Sequence, residues 1–94
     1  MFDIRLGSNG TISLSGRLDA SYADRAARTL KGVSGDVVAD CAALDYISSA
    51  GITVILELHK RLRASGGGLR LIGMNPSVRT VFVYTGLDKI LTID

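Results

Sequence analysis

Two adjacent hydroxyls, Ser48 and Ser49, stand between a β-type patch, Tyr46-Ile47, and an apolar segment with helical spacing that starts at Ile52. Residues of this type at this place have two uses. A serine at a helix start caps it by accepting from the free N–H groups of the first turn. A hydroxyl there is also well placed to carry a phosphate, because those N–H groups and the positive end of the helix dipole favour an anion.

Other chemistry is poorly supplied. His59 is the only histidine and lies ten residues from Ser49 on the same expected helix. That separation is about 15 Å along the axis and about 80° around it, so the two cannot form a nucleophile–base pair. His59 reads as a surface residue near the helix end. The nine carboxylates are scattered and form no metal-ligand cluster, so neither a catalytic nor a metal site is expected, and no cofactor. Gly66-Gly67-Gly68 follows a helix and precedes a strand, the reverse of the order a phosphate cradle needs, and reads as a helix stop. Cys41 is the single cysteine, which excludes an internal disulfide and fits a reducing cytosol. It sits after an expected buried strand and reads as a small buried hydrophobe.

The bulk composition narrows the class further. Net charge is +2 with the basic residues dispersed, which does not argue for nucleic acid. The densest group, His59-Lys60-Arg61-Leu62-Arg63, suits the negative end of a helix dipole. No window approaches the roughly 20 apolar residues of a membrane span, and the first residues do not resemble a signal peptide. Ninety-four residues are expected to form one domain, 1–94.

The elements that must position the serines follow from periodicity. Phe2, Ile4 and Leu6 alternate with Asp3 and Arg5, and Ile12 and Leu14 alternate with polar residues, with Asn9-Gly10 between the two runs. That is a hairpin signal. Asp19 or Ser21 can cap a first helix whose stripe is Ala20, Ala23, Ala26, Ala27 and Leu30, ended by Gly32. Val37-Val38-Ala39 reads as a short strand covered on both faces. Ile52, Ile55, Leu56 and Leu62 mark the second helix, with Glu57 in reach of Lys60 and Arg61. Leu69 to Ile72 is a strand. Gly73 to Ser77 is a turn leading into a short helix, Val78 to Tyr84, with Pro76 near its start, and Leu87 to Ile93 is a last strand. The expected fold is an α/β sandwich: a mixed, mainly parallel β-sheet opened by an antiparallel hairpin, with about three helices.

In this order the motifs resemble the anti-sigma factor antagonist branch of the STAS domains. "GRLDA", "DYISSAGITVILELHKRL" and "GGGLRLIGMNPSVRTVFVYTGLDKI" carry the resemblance over nearly the whole chain. It implies a bacterial cytoplasmic binding protein, not an enzyme. An anti-sigma factor that is also a serine kinase would bind the unphosphorylated form and phosphorylate it, and a cognate serine phosphatase would reverse the mark. Laid on Tyr46-Ile47-Ser48-Ser49-Ala50-Gly51-Ile52, the family pattern places the phosphosite at Ser49. Ser48, at a position that is often Asp, offers an alternative hydroxyl. The resemblance also implies a partner surface of Asp19, Ser48, Ser49, Gly51 and Thr53. Gly51 is either a packing residue or a gap that lets the partner backbone approach, and Asp19 is a cap or a partner contact. Similar proteins usually continue with another helix past the position of Asp94. The alternative is a STAS subunit of a membrane-associated, lipid-transport type of complex that is not phosphorylated. No nucleic-acid partner and no membrane insertion are implied.

Overall fold

The computed structural model describes residues 1–94. Strands β1 (Phe2–Leu6) and β2 (Thr11–Leu18) form the antiparallel hairpin. Asn9 and Gly10 both have positive φ, 58° and 76°, as a two-residue turn matched to strand twist requires. Helix α1 (Ala20–Leu30) leads to β3 (Asp36–Ile47), helix α2 (Ser49–Ala64) to β4 (Gly68–Ile72), and helix α3 (Pro76–Tyr84) to a single 3-10 turn at Leu87–Lys89 and β5 (Thr92–Ile93). The sheet order is β1-β2-β3-β4-β5, antiparallel at the first pair and parallel at the other three. This is the mixed, mainly parallel sheet with three helices that the patterning predicts.

Four local expectations change. The strand at Val37 is not short: it runs twelve residues and takes in Tyr46-Ile47, so Cys41 lies within it. It is also not covered on both faces. Val37, Ala39 and Cys41 are buried while Val38 and Asp40 are only half-buried, so the helices cover one face of the sheet. Leu69 and Leu71 of β4 repeat this alternation. The last strand shrinks to two residues because Gly86, at φ 75°, turns the chain into the 3-10 turn. Glu57 forms no ion pair, and Arg61 instead donates 2.8 Å to the Leu30 carbonyl, closing the end of α1 against α2.

Relative to β2, β3 carries two extra residues. Ser13 and Ser15 pair with Asp40 and Ala43, and Gly16 and Arg17 pair with Leu44 and Tyr46. Each one-residue bulge reverses which face the next side chain meets. The buried positions therefore pass from Val37, Ala39 and Cys41, two apart, to Cys41, Leu44 and Ile47, three apart. The Asp40 carboxylate accepts from the Ala42 N–H at 2.9 Å, satisfying a donor that the first bulge frees from the ladder. The core is aliphatic apart from Phe2, Phe82 and Cys41, and no polar or charged residue is buried in it. Burial, then the nearby Asp40 carboxylate, pushes the Cys41 thiol up to about 12. It stays protonated at neutral pH, as a buried hydrophobe would.

Candidate functional site

The bulges bring β2 and β3 to the same level where they leave the sheet. Leu18 pairs with Ile47, and the next residue on each strand, Asp19 and Ser48, caps a helix. Both caps have extended backbone, with φ −110° at Asp19 and −97° at Ser48. The Asp19 carboxylate accepts from the Ser21 N–H at 3.0 Å, so Asp19 rather than Ser21 is the cap. The Ser48 N–H donates to the Leu18 carbonyl at 3.0 Å, tying the two helix starts together. Open α/β sheets present their ligands and partners at this carboxyl edge.

The two serines are not equivalent. Ser48 is half-buried and its Oγ accepts from the Gly51 N–H at 3.4 Å, a long capping bond. Ser49 is the first helical residue, exposed, with no protein partner for its hydroxyl. No acidic residue lies in the first turn of α2. Thr53 is exposed one turn further on, and its hydroxyl donates 3.1 Å to the Ser49 carbonyl.

The geometry at Gly51 is that of a packing residue. It is buried, and a Cβ there would lie 2.6 Å from the Leu18 carbonyl oxygen, 2.7 Å from Leu18 Cγ and 2.9 Å from Ile47 Cγ1. Hydrogen in place of a methyl is what lets α2 begin against the ends of β2 and β3. Asp19, Ser48, Ser49 and Thr53 thus surround a ridge that Gly51 holds down from beneath.

Two features escape sequence reasoning. Arg17 and Tyr46 are register partners, and the Arg17 guanidinium lies 4.2 Å from the Tyr46 ring centroid at the same edge. Nothing links these residues along the chain; only the doubled bulge aligns them. His59, expected on the surface, is half-buried, and its Nδ1 is buried without a hydrogen-bond partner. Groups of His, Cys, Asp and Glu that could hold a metal ion do not occur. No helix is long and apolar enough to cross a membrane.

The STAS domain family model matches residues 5–94. A Bordetella bronchiseptica protein named as an anti-sigma factor antagonist, BtrV, is 44% identical over 71 residues, 76% of this chain. The match spans 60% of that protein's length. Among solved structures, an anti-sigma factor antagonist from Thermotoga maritima superposes with a TM-score of 0.82 at 21% identity, covering 98% of this chain and 84% of that one. The Bacillus cell fate determinant SpoIIAA in its phosphorylated form gives 0.72 at 20% identity, covering 100% and 91%. A sulfate transporter family protein from Wolinella succinogenes gives 0.76 at 16% identity, covering 96% and 81%. The fold is therefore shared by proteins with different tasks, and the choice among them rests on the carboxyl edge of the sheet.

Proposed function

Because this chain belongs to the STAS domain family, we propose that it is an anti-sigma factor antagonist in a partner-switching pathway. Its unphosphorylated form binds a serine-kinase anti-sigma factor, that kinase phosphorylates Ser49, and the modified form lets go. A cognate serine phosphatase restores binding. The reading assigns the chain to the cytoplasm and gives it no catalytic role of its own.

The observation that carries the proposal is the unequal pair at the start of α2. Ser48 is engaged as the cap, which leaves Ser49 as the exposed, unbonded hydroxyl on the ridge. A phosphoserine carries about −1.5 to −2 charges at neutral pH. Placed on the first residue of a helix, it meets free N–H groups and the positive dipole end, so the domain stays folded. The switch then works at the partner surface, where charge and bulk replace a small hydroxyl. A loss of about 3 kcal/mol there lowers affinity more than a hundredfold. Asp19, Ser48 and Thr53 complete the partner surface, and the buried Gly51 supports it from below.

The name of the BtrV relative supports this reading over that of a subunit in a membrane-associated complex. The second reading takes its support from the likeness to the sulfate transporter family protein. Recovery of wild type and Ser49→Ala from native cells, with phosphosite mapping and identification of bound proteins, separates the two. The expected result is a phosphate on Ser49 in the wild type, none in the variant, and a serine kinase retained by the variant. Phosphate on Ser48 would move the site by one residue. A chain never phosphorylated and bound only to membrane transporter subunits would favour the second reading.

A further inference from the structure

At the far end of α2 from Ser49, a cavity of about 350 Å³ opens between that helix and the lower part of β4. It falls within the size range of small-molecule sites, roughly 300–1,000 Å³. β5 reaches β4 only at Arg70 and Leu71, so Gly68 and Leu69 have no strand beside them on that side. Val37 and Leu69 supply apolar wall, and Ile90, 59% exposed, stands at its lip.

The polar groups around this wall are unequally engaged. Arg70 lines the cavity but is paired with the Asp94 carboxylate. Arg63 also lines it and has no carboxylate partner and no hydrogen bond. His59, one turn before Arg63, also lines the cavity; its Nδ1 is sealed off without a hydrogen-bond partner, which leaves Nε2, likewise unbonded, as the ring nitrogen open to a ligand. The remaining lining charge, Asp36, offsets part of the positive charge, so the cavity suits one negative charge better than two.

We propose that this cavity binds a small carboxylic acid with an apolar body, its carboxylate held by Arg63 and His59 and its body lying on Val37, Leu69 and Ile90. One unpaired guanidinium matches one carboxylate in planar, two-point geometry. With Asp36 also in the lining, a dianion such as a phosphate monoester is disfavoured relative to a monoanion. The site is separate from the Ser49 ridge and does not rest on the partner-switching reading.

The test is a titration of the whole chain with benzoate, phenyl phosphate and benzyl alcohol at pH 7, followed by amide and imidazole NMR. Benzoate should give saturable shifts confined to His59, Arg63, Gly68 to Arg70 and Ile90 to Thr92. Phenyl phosphate and benzyl alcohol should bind at least tenfold more weakly. Arg63→Gln should weaken benzoate at least tenfold, and so should His59→Phe, which keeps a ring but removes the nitrogen. Both variants should retain wild-type amide dispersion and melt no lower than wild type, which separates lost recognition from lost folding. Equal binding of benzyl alcohol would show an apolar cleft without anion recognition and overturn the proposal. Binding of phenyl phosphate as tight as benzoate, shifts centred on Ser48 to Gly51, or no saturation would overturn it too.

Discussion

At its amino end, α2 starts in contact with the strands that precede it: a hydrogen at Gly51 is all that separates the helix from the Leu18 carbonyl and Ile47. At its carboxyl end, the same helix packs Leu58 and Leu62 into the core but leaves a recess beside β4 lined by His59 and Arg63. The first end is tight below and smooth above, with one free hydroxyl on the ridge. The second is open, with a buried nitrogen left unsatisfied. The difference teaches where each kind of recognition fits. A rigid ridge suits a protein partner that reads a surface and rejects added charge. A recess beside an incomplete sheet edge suits a small molecule.

The sharpest way to break this contrast is to add one carbon at the tight end. Gly51→Ala places a methyl 2.6 Å from a backbone oxygen that cannot rotate away. Overpacking of this kind costs about 2 kcal/mol, which lowers the thermal midpoint of a domain this size by roughly 10 °C. A melt unchanged from wild type would mean that α2 is not clamped here and that its two ends are alike. A smaller effect is expected from Ser48→Ala. The cap is removed, but its bond is long at 3.4 Å, so the loss belongs at the low end of the capping range, about 0.5–1 kcal/mol by chemical denaturation. A cost above 2 kcal/mol would show that Ser48 holds more than its own helix start. The smallest effect belongs to Ser49→Asp. A carboxylate on the first helical residue agrees with the dipole, so the midpoint should stay within a few degrees, about 1 kcal/mol or less. In the same sample, affinity for the kinase partner should fall. Unfolding of Ser49→Asp would place the switch in the fold and not at the interface.

Much of this architecture is legible in the sequence because local chemistry and global fold agree there. Asn9-Gly10 demands positive φ and receives it. Pro76 marks the start of α3 and stands on its first turn, where the structure adds Asn75 as the cap, its side chain accepting from the Val78 N–H at 2.9 Å. The stripe through Ile52, Ile55 and Leu62 faces the core or its margin along α2. The reading fails where two periods mix. Cys41, Leu44 and Ile47 are three apart, a helical interval, yet they share the core face of one strand because two bulges intervene. The short β5 is hidden because Leu87, Ile90 and Leu91 are apolar in a 3-10 turn and its exit as they would be in a strand. At the candidate site, the order of the motif distinguishes Ser48 from Ser49 only by analogy; the capping bond distinguishes them physically. His59 reads as solvent-facing on helical spacing alone. Its partial burial comes from tertiary packing, which helical spacing alone does not encode.

The two surplus residues of β3 carry a consequence for how this chain can change length. Loss of one would turn Tyr46 inward and Ile47 outward, and the start of α2 would be rotated with them. Loss of both would restore the alternation but draw Ser48 and Ser49 back from the level of Asp19. Between Asp40 and Tyr46, then, insertions and deletions act in steps: odd ones invert a face, even ones shift a height. The height of the hydroxyl on the ridge is set by counting residues in the strand beneath it, so this strand works as a ruler for the ridge above it.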